Sequence, residues 1–154
     1  MALTILNRQR KIPVDLASLR PRLEAAVAAA VKGDADVTLV LVSDAAIRRL
    51  NRDWRDVNRA TDVLSFPARE GEGAAFAGPE LGDIVISLER ALDQGPIHVP
   101  DGAPEQAFED EVAFLFVHGL CHLLGHDHDD PAEARRMKAL EKRIRDKVAV
   151  AGAR

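Results

Sequence analysis

Four of the five histidines in this 154-residue chain fall within eleven residues, at His118, His122, His126 and His128. Imidazole is the commonest protein metal ligand, and two of them four residues apart on a helix stand on the same face, one turn above the other. His118 and His122 have that spacing. Gly125 follows three residues later and can take the positive φ that ends a helix, so the chain can bend and swing His128 back toward the first two rings. Three neutral nitrogen donors leave a tetrahedral Zn²⁺ with one open position, the arrangement of a catalytic rather than a structural ion. His118, His122 and His128 are therefore the expected metal ligands, with one Zn²⁺ per chain as the expected cofactor.

The pattern H-x-x-x-H-x-x-G-x-x-H has the ligand and glycine spacing of the metzincin zinc proteases, with one difference. Those proteases carry, directly after the first histidine, the glutamate that serves as general base; here the position is Gly119. A metalloprotease is thus an alternative that Gly119 disfavours, because losing the base removes on the order of 10²-fold or more of acid–base catalysis. Other groups stand close by. His126 could be a fourth ligand or lie beside the ion, the thiolate of Cys121 could close the open position, and Asp127 could orient an imidazole through its N–H. A buried free cysteine behaves as a small hydrophobe, which favours Cys121 as packing.

The residues that must hold these groups read as helix. Pro104 suits a helix first turn, and Glu105, Glu109, Asp110 and Glu111 suit the N-terminal end of the dipole. The middle of this helix, 113 to 117, is apolar all round, which predicts a central buried helix running to Leu124 with His118 and His122 at its inner end. Asp130 and Pro131 start a last helix with Met137, Leu140, Ile144 and Val148 inward and a basic outer face.

Upstream, Leu3 to Leu6 reads as a strand, and Leu19, Leu23, Val27 and Val31 mark an amphipathic helix from about Ser18, with Pro21 in its first turn. Val37 to Val42 has the continuous β-branched run of a strand covered on both faces. Ser43-Asp44 supplies N-cap chemistry for a helix through Ile47, Leu50 and Trp54. Thr61 to Pro67 and Gly82 to Ser87 are two further strands, the first closed by proline, with a loose acidic loop from Ala68 to Pro79 between them. A short helix from Glu89 to Gln94 stops before Gly95-Pro96, and His98 reads as surface.

Arg48, Arg49, Arg52, Arg55 and Arg59 crowd the second helix and the turn after it, against Asp53 and Asp56 alone. Cations near a helix C-terminus suit the macrodipole, and a charge run is usually a solvated face. Residues 70 to 111 carry eleven acids and one base, so the net charge of −4 conceals basic ends around an acidic centre. Nucleic-acid binding is neither announced nor excluded by that balance. One cysteine rules out an internal disulfide and fits a reducing compartment. The N-terminus reads as neither signal peptide nor anchor and no apolar run could span a membrane, so a cytoplasmic protein is expected.

Three motifs carry a family resemblance. The first is Leu50-Asn51 with Arg55, leading into Thr61-Asp62-Val63-Leu64-Ser65-Phe66-Pro67. The second is Leu81-Gly82-Asp83-Ile84-Val85-Ile86-Ser87. The third is His118-Gly119, His122-Leu123, Gly125 and Asp127-His128, followed by Met137 and Glu141. In this order and at these spacings the chain resembles the YbeY family of bacterial rRNA maturation factors, single-strand-specific endoribonucleases. His126, where the family more often has an aromatic residue, and Cys121, where an aliphatic one is usual, depart from the pattern.

The resemblance implies an α+β fold, a single domain over 1–154 with a small mixed sheet of about four strands packed by about five helices. It implies Zn²⁺ on His118, His122 and His128, a place for Arg55 in the active cleft, and a part in 16S rRNA 3′-end processing and ribosome quality control. Expected partners are single-stranded RNA, an rRNA precursor and the small ribosomal subunit, with no membrane and no DNA. The expected chemistry is phosphodiester cleavage by hydrolysis, with Zn²⁺ lowering the pKa of water toward ~7 or acting as a Lewis acid, and attack by an RNA 2′-hydroxyl is equally open. Arg55, whose planar fork of donors matches phosphate oxygens, is the residue expected to stabilise the transition state, with Arg48, Arg52 and Arg59 as candidates for holding the backbone on either side. The proton acceptor stays open among substrate phosphate, Asp127, His126 and solvent. Aromatics make up 4% of the chain and Tyr is absent, which leaves Trp54 and Phe66 as the stacking candidates near the arginines and points to backbone recognition. A non-enzymatic ribosome-assembly factor whose zinc only holds the fold is the remaining alternative.

Overall fold

The fold follows from where the chain can bury apolar runs on a sheet. The computed structural model describes residues 2–68, 78–98, 103–126 and 129–152. Four strands, β1 (Ala2–Asn7), β2 (Asp36–Val42), β3 (Val63–Pro67) and β4 (Glu80–Ser87), form one mixed sheet in the order β1-β2-β4-β3. β1, β2 and β4 run parallel, and β3 lies antiparallel along β4 at the edge. Five helices pack on it: α1 (Leu16–Ala30), α2 (Asp44–Arg55), α3 (Leu88–His98), α4 (Pro104–Leu123) and α5 (Pro131–Gly152). This is the expected α+β architecture.

Strand alternation sorts the side chains between two faces. Val37, Leu39, Leu41, Ile84 and Ile86 are buried with Leu19, Leu23, Phe116, Leu120, Met137 and Ile144 in the main core, under α1, α4 and α5. The opposite face carries a smaller cluster of Val42, Ile47, Leu64 and Val85, with Leu50 and Phe66 packed against it. β2 is thus covered on both faces, as its apolar run implied, but one face only partly, since Thr38 and Val40 are half-buried.

Helix starts follow cap chemistry. The side chain of Asp15 accepts from the Ser18 N–H, that of Ser43 from Ala46 and that of Asp130 from Glu133. Because Asp15 caps α1, the helix begins earlier than its apolar spacing suggested, and Pro21 lies in its second turn rather than its first. α3 likewise runs past Gly95-Pro96 to His98. Gly95 is there for a close approach instead of a turn: a Cβ at that position would lie 2.6 Å from the Ala107 carbonyl oxygen of α4.

α4 is the central helix, with Val112, Ala113, Leu115, Phe116, Val117, Leu120 and Cys121 buried. It is not apolar all round in its packing, because Phe114 points outward, under the guanidinium of Arg145, 5.5 Å from the ring centroid. Glu111 is more than a dipole-friendly surface acid. It is buried, and its Oε1 lies 2.8 Å from Nδ1 of His98, so His98 is tied to the core at one edge.

Gly119 marks where α4 meets the sheet. A Cβ there would stand 2.8 Å from Cγ2 of Ile84 and 3.1 Å from Oγ of Ser65, and the Ser65 hydroxyl donates to the Gly119 carbonyl. Residue 119 therefore faces β3 and β4, and a side chain as long as glutamate has no room there. Gly119→Ala should cost about 1–2 kcal/mol, overpacking outweighing the better helix propensity, and thermal unfolding should show a Tm lower by a few degrees.

Candidate metal and phosphate site

The last turn of α4 brings two imidazoles together. Nε2 of His118 and Nε2 of His122 are 3.2 Å apart, with ring centroids at 4.7 Å. Two donors on one tetrahedral ion at ~2.0–2.1 Å would have nitrogens about 3.3 Å apart, so the pair is already set at the separation an ion needs. Both side chains are half-buried at the mouth of a cleft, in contrast to the fully buried residues around them.

The helix then stops as its glycine implied. Gly125 has φ +89°, its N–H bonds the His122 carbonyl, and the His126 N–H reaches back to the Cys121 carbonyl. These two bonds are a Schellman cap, which turns the chain sharply at the level of the ring pair. His126 comes to lie in the cleft lining beside them. Asp127 and His128, the expected orienting residue and third ligand, lie outside the described residues. Among the described residues no group of three His, Cys, Asp or Glu forms a metal cluster.

Cys121 faces the main core and is fully buried. Burial, and then the charge of Glu141, push its thiol up to about 12, against the opposing charge of Arg145. Its burial among the core side chains fits the packing role that the sequence favoured for it.

The residue to which sequence reasoning gave no role is Glu141. It lies one turn beyond Met137 on α5, buried, with Oε1 3.2 Å from Nδ1 of His118 and Oε2 3.4 Å from the Arg145 guanidinium. Burial alone would push its carboxyl up; the hydrogen bond and charge of His118, with Arg145 and His122, outweigh that and hold it below its ordinary value. A carboxylate on Nδ1 fixes the ring and leaves Nε2 to point at the ion, the usual second partner of a metal-binding imidazole. The signal was present in the sequence as an acid among inward residues 137, 140, 144 and 148 of an otherwise basic helix.

The cleft has a volume of about 1120 Å³. The end of α2 forms one wall, β3 and the segment before it another, and the turn after α4 a third. Arg55 and Arg59 line it, along with Trp54, Phe66, Asp62 and Asp129. Arg48 and Arg52 do not: Arg48 bonds Asn58, and Arg52 pairs with Asp53 at 3.0 Å on the exposed side of the helix. The five-arginine cluster therefore splits, since helical spacing sends only part of it to one face.

A buried asparagine holds the arginine wall. Asn51 donates from Nδ2 to the Arg59 carbonyl at 3.0 Å, and its own carbonyl accepts from Val57. Between them Asp56, at φ 58°, reverses the chain in a left-handed C-cap. Arg55 on the last turn of α2 and Arg59 four residues on are thus held where both line the cleft. The Asn51 and Arg55 of the first motif are accounted for as a scaffold and a cation.

The family model for Endoribonuclease YbeY matches residues 4–149. A protein of that name from Moorella thermoacetica is 44% identical over 94% of this chain and 95% of its own length. Another from Anaeromyxobacter sp. is 43% identical over 88% of this chain but 66% of its own, and one from Myxococcus xanthus is 47% identical over 71% and 35%. The chain thus spans two thirds or less of those two longer relatives and nearly all of the Moorella one. The solution structure of TM1509 from Thermotoga maritima superposes with a TM-score of 0.61 at 27% identity, covering 95% of this chain and 88% of that one. Matched from β1 to α5 in sequence and over nearly its whole length in structure, the chain belongs to the Endoribonuclease YbeY family.

Proposed function

We propose that the chain is one metal-dependent hydrolase domain over 1–154, a single-strand-specific endoribonuclease acting in rRNA maturation. The natural substrate in this reading is an rRNA precursor, with 16S 3′-end processing and ribosome quality control as its settings and the small ribosomal subunit in the cytoplasm as its partner. The observation that carries it is the cleft in which the converging His118 and His122 nitrogens share a wall system with Arg55 and Arg59. No helix among the described residues is long and apolar enough to cross a membrane.

His118, His122 and His128 would hold the ion, and the 3.2 Å separation of the first two fits it. A bound Zn²⁺ supplies Lewis acidity toward a phosphoryl oxygen and acidifies water. The rest of the work falls to the protein. Glu141 keeps Nδ1 of His118 engaged, and the helix cap positions the turn that leads to His128. Arg55 meets the negative charge that builds on the non-bridging oxygens, with a rigid fork of donors that costs little reorganisation. Arg59 holds a neighbouring phosphate, a sequence-blind and salt-sensitive contact. His126, in the cleft, is a group that could take the proton in place of the absent glutamate.

The test is a labelled single-stranded RNA and metal-loaded protein, with cleavage lost on chelation, restored by zinc, and absent in His118→Ala and Arg55→Ala. Cutting that survives both substitutions would assign the activity to another nuclease. The Glu141 contact makes a separate prediction about the ion. Glu141→Ala should weaken zinc affinity about 10–100-fold in a competition titration against a chromogenic chelator, and Glu141→Gln, which keeps an acceptor of the same shape, should retain part of it. Equal affinity in all three proteins would remove Glu141 from the site.

A further inference from the structure

We infer that Trp54 is a stacking platform for one unpaired nucleobase, so that the preference for single strands is built into the cleft itself. The inference rests on the RNA-cleaving reading above and adds the subsite that selects the strand.

Trp54 has 72% of its surface exposed, although it is the only tryptophan of the chain and among the largest apolar groups it has. It lines the same cleft as His118, His122, Arg55 and Arg59. Its indole stands edge-to-face with Phe66 of β3, centroids 6.4 Å apart and planes at 75°. In that arrangement Phe66 covers at most one face of the indole, and most of the residue's surface stays exposed.

The support is rigid. Phe66 packs against the smaller apolar cluster, Trp54 sits on the last turn of α2, and the Asn51 bonds lock the chain that follows. The platform is therefore held in place before anything binds, which lowers the entropy lost on binding.

The neighbours decide what kind of ring it takes. Arg52, Asp53 and Arg55 flank Trp54 in the chain and are exposed, so on α2 the indole is bordered by charged side chains. A planar ring with polar edges, joined to a phosphate backbone, fits an isolated indole next to guanidinium groups. Stacking is tolerant of base identity because every base has a π face. A base paired within a duplex already has both faces covered by its neighbours, so away from duplex ends an unpaired base is the one that can lie on Trp54. Arg55 and Arg59 would then grip the phosphates beside that base, near the histidine pair.

The single tryptophan gives a direct readout. Fluorescence of His118→Ala, which should bind without cutting, is titrated with a single-stranded RNA, with the same strand carrying abasic positions, and with the corresponding duplex. The expected result is quenching by the intact strand, with little from the abasic strand or the duplex. Trp54→Ala should bind the intact strand between about 5- and 100-fold more weakly by a label on the RNA, and Trp54→Phe should recover much of the loss. Equal quenching by intact and abasic strands, or unchanged affinity in Trp54→Ala, would overturn the platform. Cleavage by the unsubstituted protein is followed in parallel: a strand that is cut without quenching sinks the stacking site alone. Quenching by a strand that is never cut sinks the nuclease reading and leaves the platform standing.

Discussion

His118→Ala lowers cleavage of a single-stranded RNA by about 10³-fold or more, the largest effect expected of any single substitution here. A metal contributes several kcal/mol of charge stabilisation to phosphoryl transfer, and each 1.36 kcal/mol is tenfold in rate. The ring is also the partner of a buried carboxylate, so its removal takes from Glu141 its hydrogen-bond partner on α4 and leaves the Arg145 contact in place. Circular dichroism and a zinc titration must therefore accompany the rate. The expected combination is a folded protein, weakened zinc binding and no detectable cutting. A variant that binds zinc as tightly as the parent would show that His118 is not a ligand, whatever happens to the rate.

Arg55→Ala acts at the other wall and should lower kcat by about 10²–10³-fold, the usual loss on removing one preorganised donor from a developing oxyanion. Arg55 is exposed at the end of α2, so fold and zinc affinity should stay as they were. Arg55→Lys should recover only part of the rate, because a point charge does not reproduce two parallel N–H donors. An unimpaired Arg55→Ala enzyme would favour the view that zinc merely holds the fold and that the protein works by binding. The two substitutions are thus separable: one removes activity together with the ion, the other removes activity with the ion in place.

Much of this molecule is legible in its sequence because the strongest signals are local. Ser43 before α2, Pro104 opening α4 and Gly125 closing it each act within a turn of themselves, and all three appear where they were expected. The apolar runs at 37–42 and 82–87 became the paired strands β2 and β4 for the same reason. What was not legible depends on which distant element comes alongside. Gly95 looked like a helix stop, and only the approach of Ala107 shows it to be a contact point. Glu141 stood in the third motif without a role until α5 laid it against His118. Arg48, Arg52 and Arg59 stood in the sequence as equal candidates for holding the backbone, and only the fold shows that Arg59 meets the cleft while Arg48 and Arg52 turn away from it. His128, the third expected ligand, lies outside the described residues.

The position of β3 has a consequence for how the molecule behaves among its copies. Among the described residues it is the last strand in the sheet order, paired with β4 on one side. An exposed strand border is a template on which another chain can add itself, the first step toward aggregation. β3 is five residues long and ends in Pro67, which has no N–H to offer a newcomer. Like charges from Arg55 and Arg59 on two approaching copies would also repel across this border. The wall that must stay accessible to a ligand is therefore also a poor place for self-assembly, and the same short, proline-ended, cation-flanked segment meets both demands.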